Sequence, residues 1–166
     1  MRRTVIAGLF ILVGLSSAIL LSGCRTNMVP YEAGDVGNSR KVLIAGETSE
    51  FKKNVVAEVI ETLGTEDWYF RIIGLDQLEQ EDTEPYGAIL LITAMQGGRL
   101  SEKVITYLSR NPKNPKMIVF FTRGSEDPLP EKYRLDIHVD AVSSASKDAR
   151  VGLRAEQLVD LLERRF

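Results

Sequence analysis

The chain has 166 residues, a formal net charge of -2 at pH 7 and a single cysteine, Cys24. A slightly acidic balance leaves no basic footprint for nucleic acid. One cysteine excludes an intrachain disulfide, and one histidine, His138, is too few for a site built on thiolates or imidazoles.

Arg2 and Arg3 open the chain, and residues 5–21 follow without a charge. A basic start, an apolar stretch and small residues before a cleavage point predict a secretory leader. The stretch is short for a membrane span, which needs about 20 residues, and Gly14, Ser16 and Ser17 weaken it as one. Leu21-Ser22-Gly23-Cys24 resembles a bacterial lipobox. That resemblance implies diacylglycerol on the Cys24 thiol, cleavage after Gly23 and acylation, palmitate being typical, of the new amino terminus. Residues 1–23 are then a lipoprotein signal peptide, and the mature chain starts at Cys24 with a net charge near -4 (-2 minus the two leader arginines). No free thiol remains for catalysis or metal binding. Arg25 stands where an aspartate would mark inner-membrane retention in double-membraned bacteria. The resemblance therefore implies a lipid anchor on the periplasmic face of an outer membrane, where the cell has one. The leader looks like a general-secretory one, which threads unfolded chains, so a noncovalent cofactor would be acquired outside the cytoplasm.

Residues 24–40 are expected to form a lipidated, flexible tether: Asn27, Pro30, Gly34, Asp35, Gly37, Asn38 and Ser39 carry no apolar period. Residues 41–166 are expected to form one domain, since the roughly 125 residues left after leader and tether are enough to bury a single core.

Within that domain, Val42-Leu43-Ile44-Ala45 reads as a strand buried on both faces. Phe51, Val55, Val59, Ile60 and Leu63 recur at helical spacing, with Gly64 as the stop. Residues 68–73 and 86–93 are the second and third strands. Leu100, Val104, Tyr107 and Leu108 mark a helix that ends before Pro112. Residues 116–122 and 137–142 are the fourth and fifth strands, and Val151, Ala155, Leu158, Leu161 and Leu162 form the stripe of a closing helix. Residues 75–85 and 123–136 leave room for no more than a turn or so of helix. The pattern predicts a three-layer, doubly wound α/β domain with a five-stranded parallel sheet in the order 2-1-3-4-5 and full helices after strands one, three and five.

From about residue 41 to residue 124 the chain resembles the flavodoxin-domain family that includes the menaquinone-dependent protoporphyrinogen oxidases of bacteria. The resemblance rests on Val42-Leu43-Ile44-Ala45 with its turn and the helix Val55-Val56-Ala57-Glu58-Val59-Ile60; on Ile73-Gly74-Leu75-Asp76-Gln77-Leu78 with an acidic turn before Tyr86; and on the stretch from Ile89 through Thr93, Gly97, Gly98 and Leu100 to Met117-Ile118-Val119-Phe120-Phe121. It implies a cleft above the strand ends and, in the family, FMN held there, its phosphate in the turn after strand one. Phosphate binding needs exposed backbone N–H groups, hydroxyl donors and a helix N-terminus.

Here that turn is Gly46-Glu47-Thr48-Ser49-Glu50-Phe51-Lys52-Lys53. Thr48 matches a hydroxyl position, Phe51 stands where the family has glycine, and Lys53 where it has threonine. Glu47 and Glu50 add negative charge, which Lys52 and Lys53 would offset. The turn reads more simply as a capped helix, with Thr48 or Ser49 as N-cap and Glu50 at the positive end of the dipole. The second loop, residues 93–99, offers Thr93, Gly97 and Gly98, the last matching a family glycine; Ala94 and Gly97 replace hydroxyl and aromatic positions. The third, residues 122–127, offers Thr122 but no aromatic face.

The expectation is a membrane-anchored lipoprotein whose flavodoxin-like domain has lost FMN binding and serves as a ligand- or protein-binding module in the envelope. Its small ligand or envelope-protein partner would meet Thr48, Ser49, Lys52, Lys53, Thr93, Gly97, Gly98 and Thr122. The alternative is an FMN-binding, quinone-linked electron-transfer protein or oxidoreductase. A hydrolase using Ser143 or Ser144 with His138 between Asp136 and Asp140 is a third reading, but Gly-x-Ser-x-Gly is absent. The acids of residues 79–84 are read as a solvated turn, Arg164 and Arg165 as charges suited to a helix end, and Phe166 as core.

Overall fold

The apolar run at Val42 forms the spine of a sheet. A computed structural model describes residues 26–124, 140–145 and 150–166. In chain order its elements are β1 (Thr26–Asn27), β2 (Tyr31–Ala33), β3 (Arg40–Thr48), α1 (Glu50–Leu63), β4 (Trp68–Gly74), β5 (Ala88–Ala94), α2 (Glu102–Arg110), β6 (Met117–Arg123), β7 (Asp140–Ala145) and α3 (Val151–Glu163). Val42 to Gly46 of β3 pair in parallel with Phe70 to Gly74 of β4 on one side and Ala88 to Ile92 of β5 on the other. β6 and β7 continue the parallel sheet outward from β5. The parallel strands thus stand in the order β4-β3-β5-β6-β7, the 2-1-3-4-5 arrangement that the alternation of elements predicts.

Residues alternate across a strand, so β3 builds two cores at once. Val42 and Ile44 join Val55, Val56 and Val59 of α1 and Ala155, Leu158 and Leu162 of α3. Leu43 and Ala45 join Val104, Tyr107 and Leu108 of α2. These are the three layers. Ser49 starts α1, its Oγ accepting from the Lys52 N–H at 3.4 Å, and Gly64 ends it in a positive-φ conformation. In place of a second full helix, Leu75, Leu78 and Tyr86 cover the α2 side of the sheet. Their connection is not a solvated turn throughout. Glu81 accepts from Arg71 Nε at 2.6 Å and from the Tyr86 hydroxyl at 3.0 Å, clamping the connection to β4. Among the described residues no helix is long and apolar enough to cross a membrane.

The segment expected to be a tether is instead paired to the sheet at its described strands. β1 runs antiparallel to the end of β3, Thr26 opposite Thr48 and Asn27 opposite Glu47. β2 adds an antiparallel edge to β4. Polar composition suggested a free segment, but three things hold it. The Met28 N–H donates to the Gly46 carbonyl at 2.9 Å, and the Met28 side chain is buried in the α1/α3 core. Glu32 accepts from Arg71 Nη1 at 2.6 Å. Gly74 lets the strap lie close, because a Cβ there would stand 2.8 Å from the Asn27 Cβ.

Other differences are local. β3 runs on through Thr48, leaving Ser49 as the N-cap. β7 continues past Val142 to Ala145, and the expected first residues of strand five, with His138 and Asp136, lie outside the described residues. Phe166 is half exposed rather than core, standing edge-on to Trp68 at 5.0 Å. Arg165 Nη2 reaches the Met117 carbonyl at 3.5 Å, and Arg164 pairs with Asp160.

Two outcomes follow from this packing. Met28→Ala should destabilise the domain by about 2 kcal/mol, the low end for a buried methionine; an unchanged urea midpoint would contradict a packed strap. Burial, and then the hydrogen bond to Glu81, raise the Tyr86 pKa well above its ordinary value. Near pH 10 the unfolded chain ionises this phenol and the folded one does not. Its contribution is therefore complete below about pH 10 and lost as pH rises above it. Tyr86→Phe should flatten the alkaline loss of stability in denaturant titrations, and an unaltered slope would contradict the assignment.

Candidate functional site

A doubly wound sheet opens a crevice where consecutive helices leave for opposite faces, at the C-terminal ends of the strands. Here that switch lies between β3, which feeds α1, and β5, which feeds α2. The candidate loops of residues 46–53 and 93–99 flank it.

Glu47 stands at the switch. Its side chain follows Leu43 and Ala45 onto the α2 face, as alternation requires, and only 5% of the residue is exposed. Its Oε2 accepts from the Thr93 hydroxyl at 3.0 Å and from the Ala94 backbone N–H at 3.2 Å. A carboxylate thus takes the hydroxyl and the amide that the second loop presents between the two strands. Buried donors left without an acceptor cost free energy, so the three groups form a unit.

The sequence-predicted residues do not converge on one pocket. Thr48 is the last residue of β3, its Oγ1 buried without a hydrogen-bond partner, and points to the α1 side. Ser49 is spent on the α1 cap. Lys52 is buried and partnered, whereas Lys53 is exposed and pairs with Glu50 at 2.7 Å. Phe51, in the family's glycine position, turns inward with its ring 6.3 Å from that of Phe120. Thr93 is taken by Glu47. Gly97 and Gly98 both have positive φ (55° and 76°) and form the centre of a tight turn, closed by mutual backbone bonds between Gln96 and Arg99 at 2.9 and 3.0 Å. Positive φ at both central positions is the geometry of a type I′ hairpin turn. Thr122 is buried in β6, opposite Ala94 and Ser144, and residues 125–127 of its loop lie outside the described residues.

Two residues of this edge escaped the sequence reading: Glu47 as the acceptor at the switch, and Ser144 as a buried neighbour of Thr122. The signal each gives is a polar residue one position before the end of its strand, as Thr93 and Thr122 are, which marks the sheet edge but not the partner. Ser144 Oγ is buried and accepts from Arg154 Nε at 3.2 Å, which does not present it as a nucleophile. Ser143 lines a shallow cleft of about 390 Å³ with Arg154, Gln157 and Asp160. A cleft of about 340 Å³ lies between Leu75, Asp76, Leu78 and Glu79 and the α2 residues Glu102, Lys103, Thr106 and Tyr107, and a groove of about 490 Å³ runs between β1 and α1. None of the three takes a residue from the loop of residues 93–99. Among the described residues no group of His, Cys, Asp and Glu could hold a metal ion.

Removing the acceptor takes a partner from the buried Thr93 hydroxyl and from the part-buried Ala94 N–H. Glu47→Ala should cost about 1–3 kcal/mol of stability, and Glu47→Gln less, because its amide oxygen still accepts. In a double-mutant cycle with Thr93→Val, denaturation should show a coupling of at least about 0.5 kcal/mol; simple additivity would contradict the contact.

No family model matches the sequence, and no curated protein does. Solved structures match the fold. A flavodoxin from the domain Archaea superposes with a TM-score of 0.53 at 12% identity, over 75% of this chain and 98% of that one. The metal-soaked Flv1 flavodiiron core from Synechocystis superposes at 0.50 and 14% identity, over 78% of this chain and 36% of that one. Oxidised Flavodoxin 2 from Bacillus cereus superposes at 0.48 and 15% identity, over 76% and 99%. At such identities the likeness is one of fold, and the fold of this chain is flavodoxin-like.

Proposed function

We propose that the protein is a lipid-anchored envelope protein whose flavodoxin-like domain has given up FMN and works as a binding module for a small ligand or a protein partner. The observation that carries this is Glu47. In a flavin-binding member of the fold, the turn after the first parallel strand and the loop after the third surround an anionic cofactor. In this chain a buried carboxylate already takes the Thr93 hydroxyl and the Ala94 N–H between those loops. A phosphate dianion beside it would meet like charge. At about 4 Å and an effective dielectric of 20, each such unit pair costs about 4 kcal/mol. Phe51 and the Ser49 cap work in the same direction, since the first fills the glycine position with core and the second occupies the Lys52 N–H.

The lipid anchor rests on Leu21-Ser22-Gly23-Cys24 and the leader before it. Secretion of an unfolded chain also favours a domain that needs no cytoplasmic cofactor. The flavodoxin-like fold itself favours the second reading, an FMN-dependent, quinone-linked redox protein.

Titrating FMN with the mature domain separates the two. Flavin fluorescence and the visible absorbance band should stay unchanged, with any affinity weaker than about 1 mM (-4.1 kcal/mol). Stoichiometric quenching would overturn the binding-module reading. Cys24→Ser should abolish incorporation of labelled palmitate, and undiminished labelling would overturn the anchor.

A further inference from the structure

The strap changes what a lipid on Cys24 would do to the rest of the molecule. A flexible tether would let the domain tumble above the bilayer. Instead, Thr26 is already paired with Thr48 at the C-terminal edge of the sheet, and the buried Met28 fixes it there. Cys24 lies two positions earlier, and two residues span at most about 7 Å. A lipidated Cys24 has its acyl chains in hydrocarbon and its backbone among headgroups, a layer only about 5–8 Å deep on each side. The edge that carries β1 must then lie at the membrane surface.

The surface beside β1 suits that position. Val29 is 78% exposed and Tyr31 48% exposed. Between them and α1 runs the 490 Å³ groove, whose lining includes Met28, Val56, Ala57 and Ile72. Tyrosine favours the membrane interface, and exposed apolar groups gain by leaving water. The two charged residues that line the groove are matched, Lys53 with Glu50 at 2.7 Å, so the groove itself carries no net charge against an anionic headgroup layer. At the opposite edge, β4 begins about 20 Å away along seven residues of strand. There Val36 is 62% exposed, beside the Asn38 side chain that donates to the Trp68 carbonyl.

We propose that the domain docks on the bilayer through Val29, Tyr31 and the β1–α1 groove, with the C-terminal edge of its sheet facing the lipid. The occupant of the groove is the headgroup and upper acyl region of the membrane that holds the anchor. The proposal rests on the lipid-anchor reading. Its consequence is that a ligand meeting the loops around Glu47 arrives from the bilayer or along its surface.

The test uses the full chain, purified from membranes and reconstituted into phosphatidylethanolamine–phosphatidylglycerol vesicles. With Cys24 acylated, Val29→Cys or Val36→Cys supplies the one free thiol for a nitroxide. Power-saturation spectroscopy then compares accessibility to oxygen, which partitions into lipid, and to a water-soluble nickel chelate. The ratio of oxygen to nickel accessibility should be several-fold higher at position 29 than at 36. Equal ratios in a chain whose intact mass carries the lipid would overturn the docking and leave the anchor standing. A mass without lipid would overturn the anchor and the docking with it.

Discussion

Everything in this domain is hung on the two-sided pairing of β3. Val42 to Gly46 are hydrogen-bonded on both edges and buried on both faces, so the same short run sets the register of β4 and β5 and seeds both cores. Because consecutive side chains alternate, the residues that follow are assigned to faces before any loop forms. Glu47 continues the line of Leu43 and Ala45 and meets Thr93. Thr48 continues the line of Ile44 toward α1. The chemistry of the strand ends is therefore an extension of core geometry. An acid in this register brings a carboxylate to the switch point between β3 and β5.

That constraint supports the proposal that fold and cofactor part company here. The layers, the strand order and the switch depend on apolar periodicity and on connections of the right length. A flavin site depends on a few positions at the strand ends, and those can change while the ladders stay intact. Here Glu47, Phe51 and Ser49 are each satisfied within the protein, by Thr93 and Ala94, by Phe120 and by the α1 N-terminus.

The parallel sheet was legible in the sequence because buried strands are short, continuous apolar runs, and the helices between them repeat at helical spacing. The strap was not. Its pairing depends on Met28, one apolar residue amid polar ones, and on the clearance at Gly74, neither of which makes a periodic signal. The acidic stretch before Tyr86 was misjudged for a related reason: Glu81 finds Arg71 ten residues back in the chain, a contact that composition does not announce. The candidate loops follow strand ends, but how their side chains turn is not written in the periodicity. Whether Lys52 turns in and Lys53 out, or Thr93 bonds Glu47, depends on packing that only three dimensions supply.

The proposal at the centre of this reading is that a flavodoxin-like fold persists here without FMN, with Glu47 holding the Thr93 hydroxyl and the Ala94 N–H at the switch. Thermal unfolding of the mature domain with and without excess FMN tests it most directly, since a ligand at a hundred times its dissociation constant stabilises the native state by about 2.7 kcal/mol. The transitions with and without FMN should superimpose. A transition that moves to higher temperature as FMN is added, and moves further with more, would contradict it.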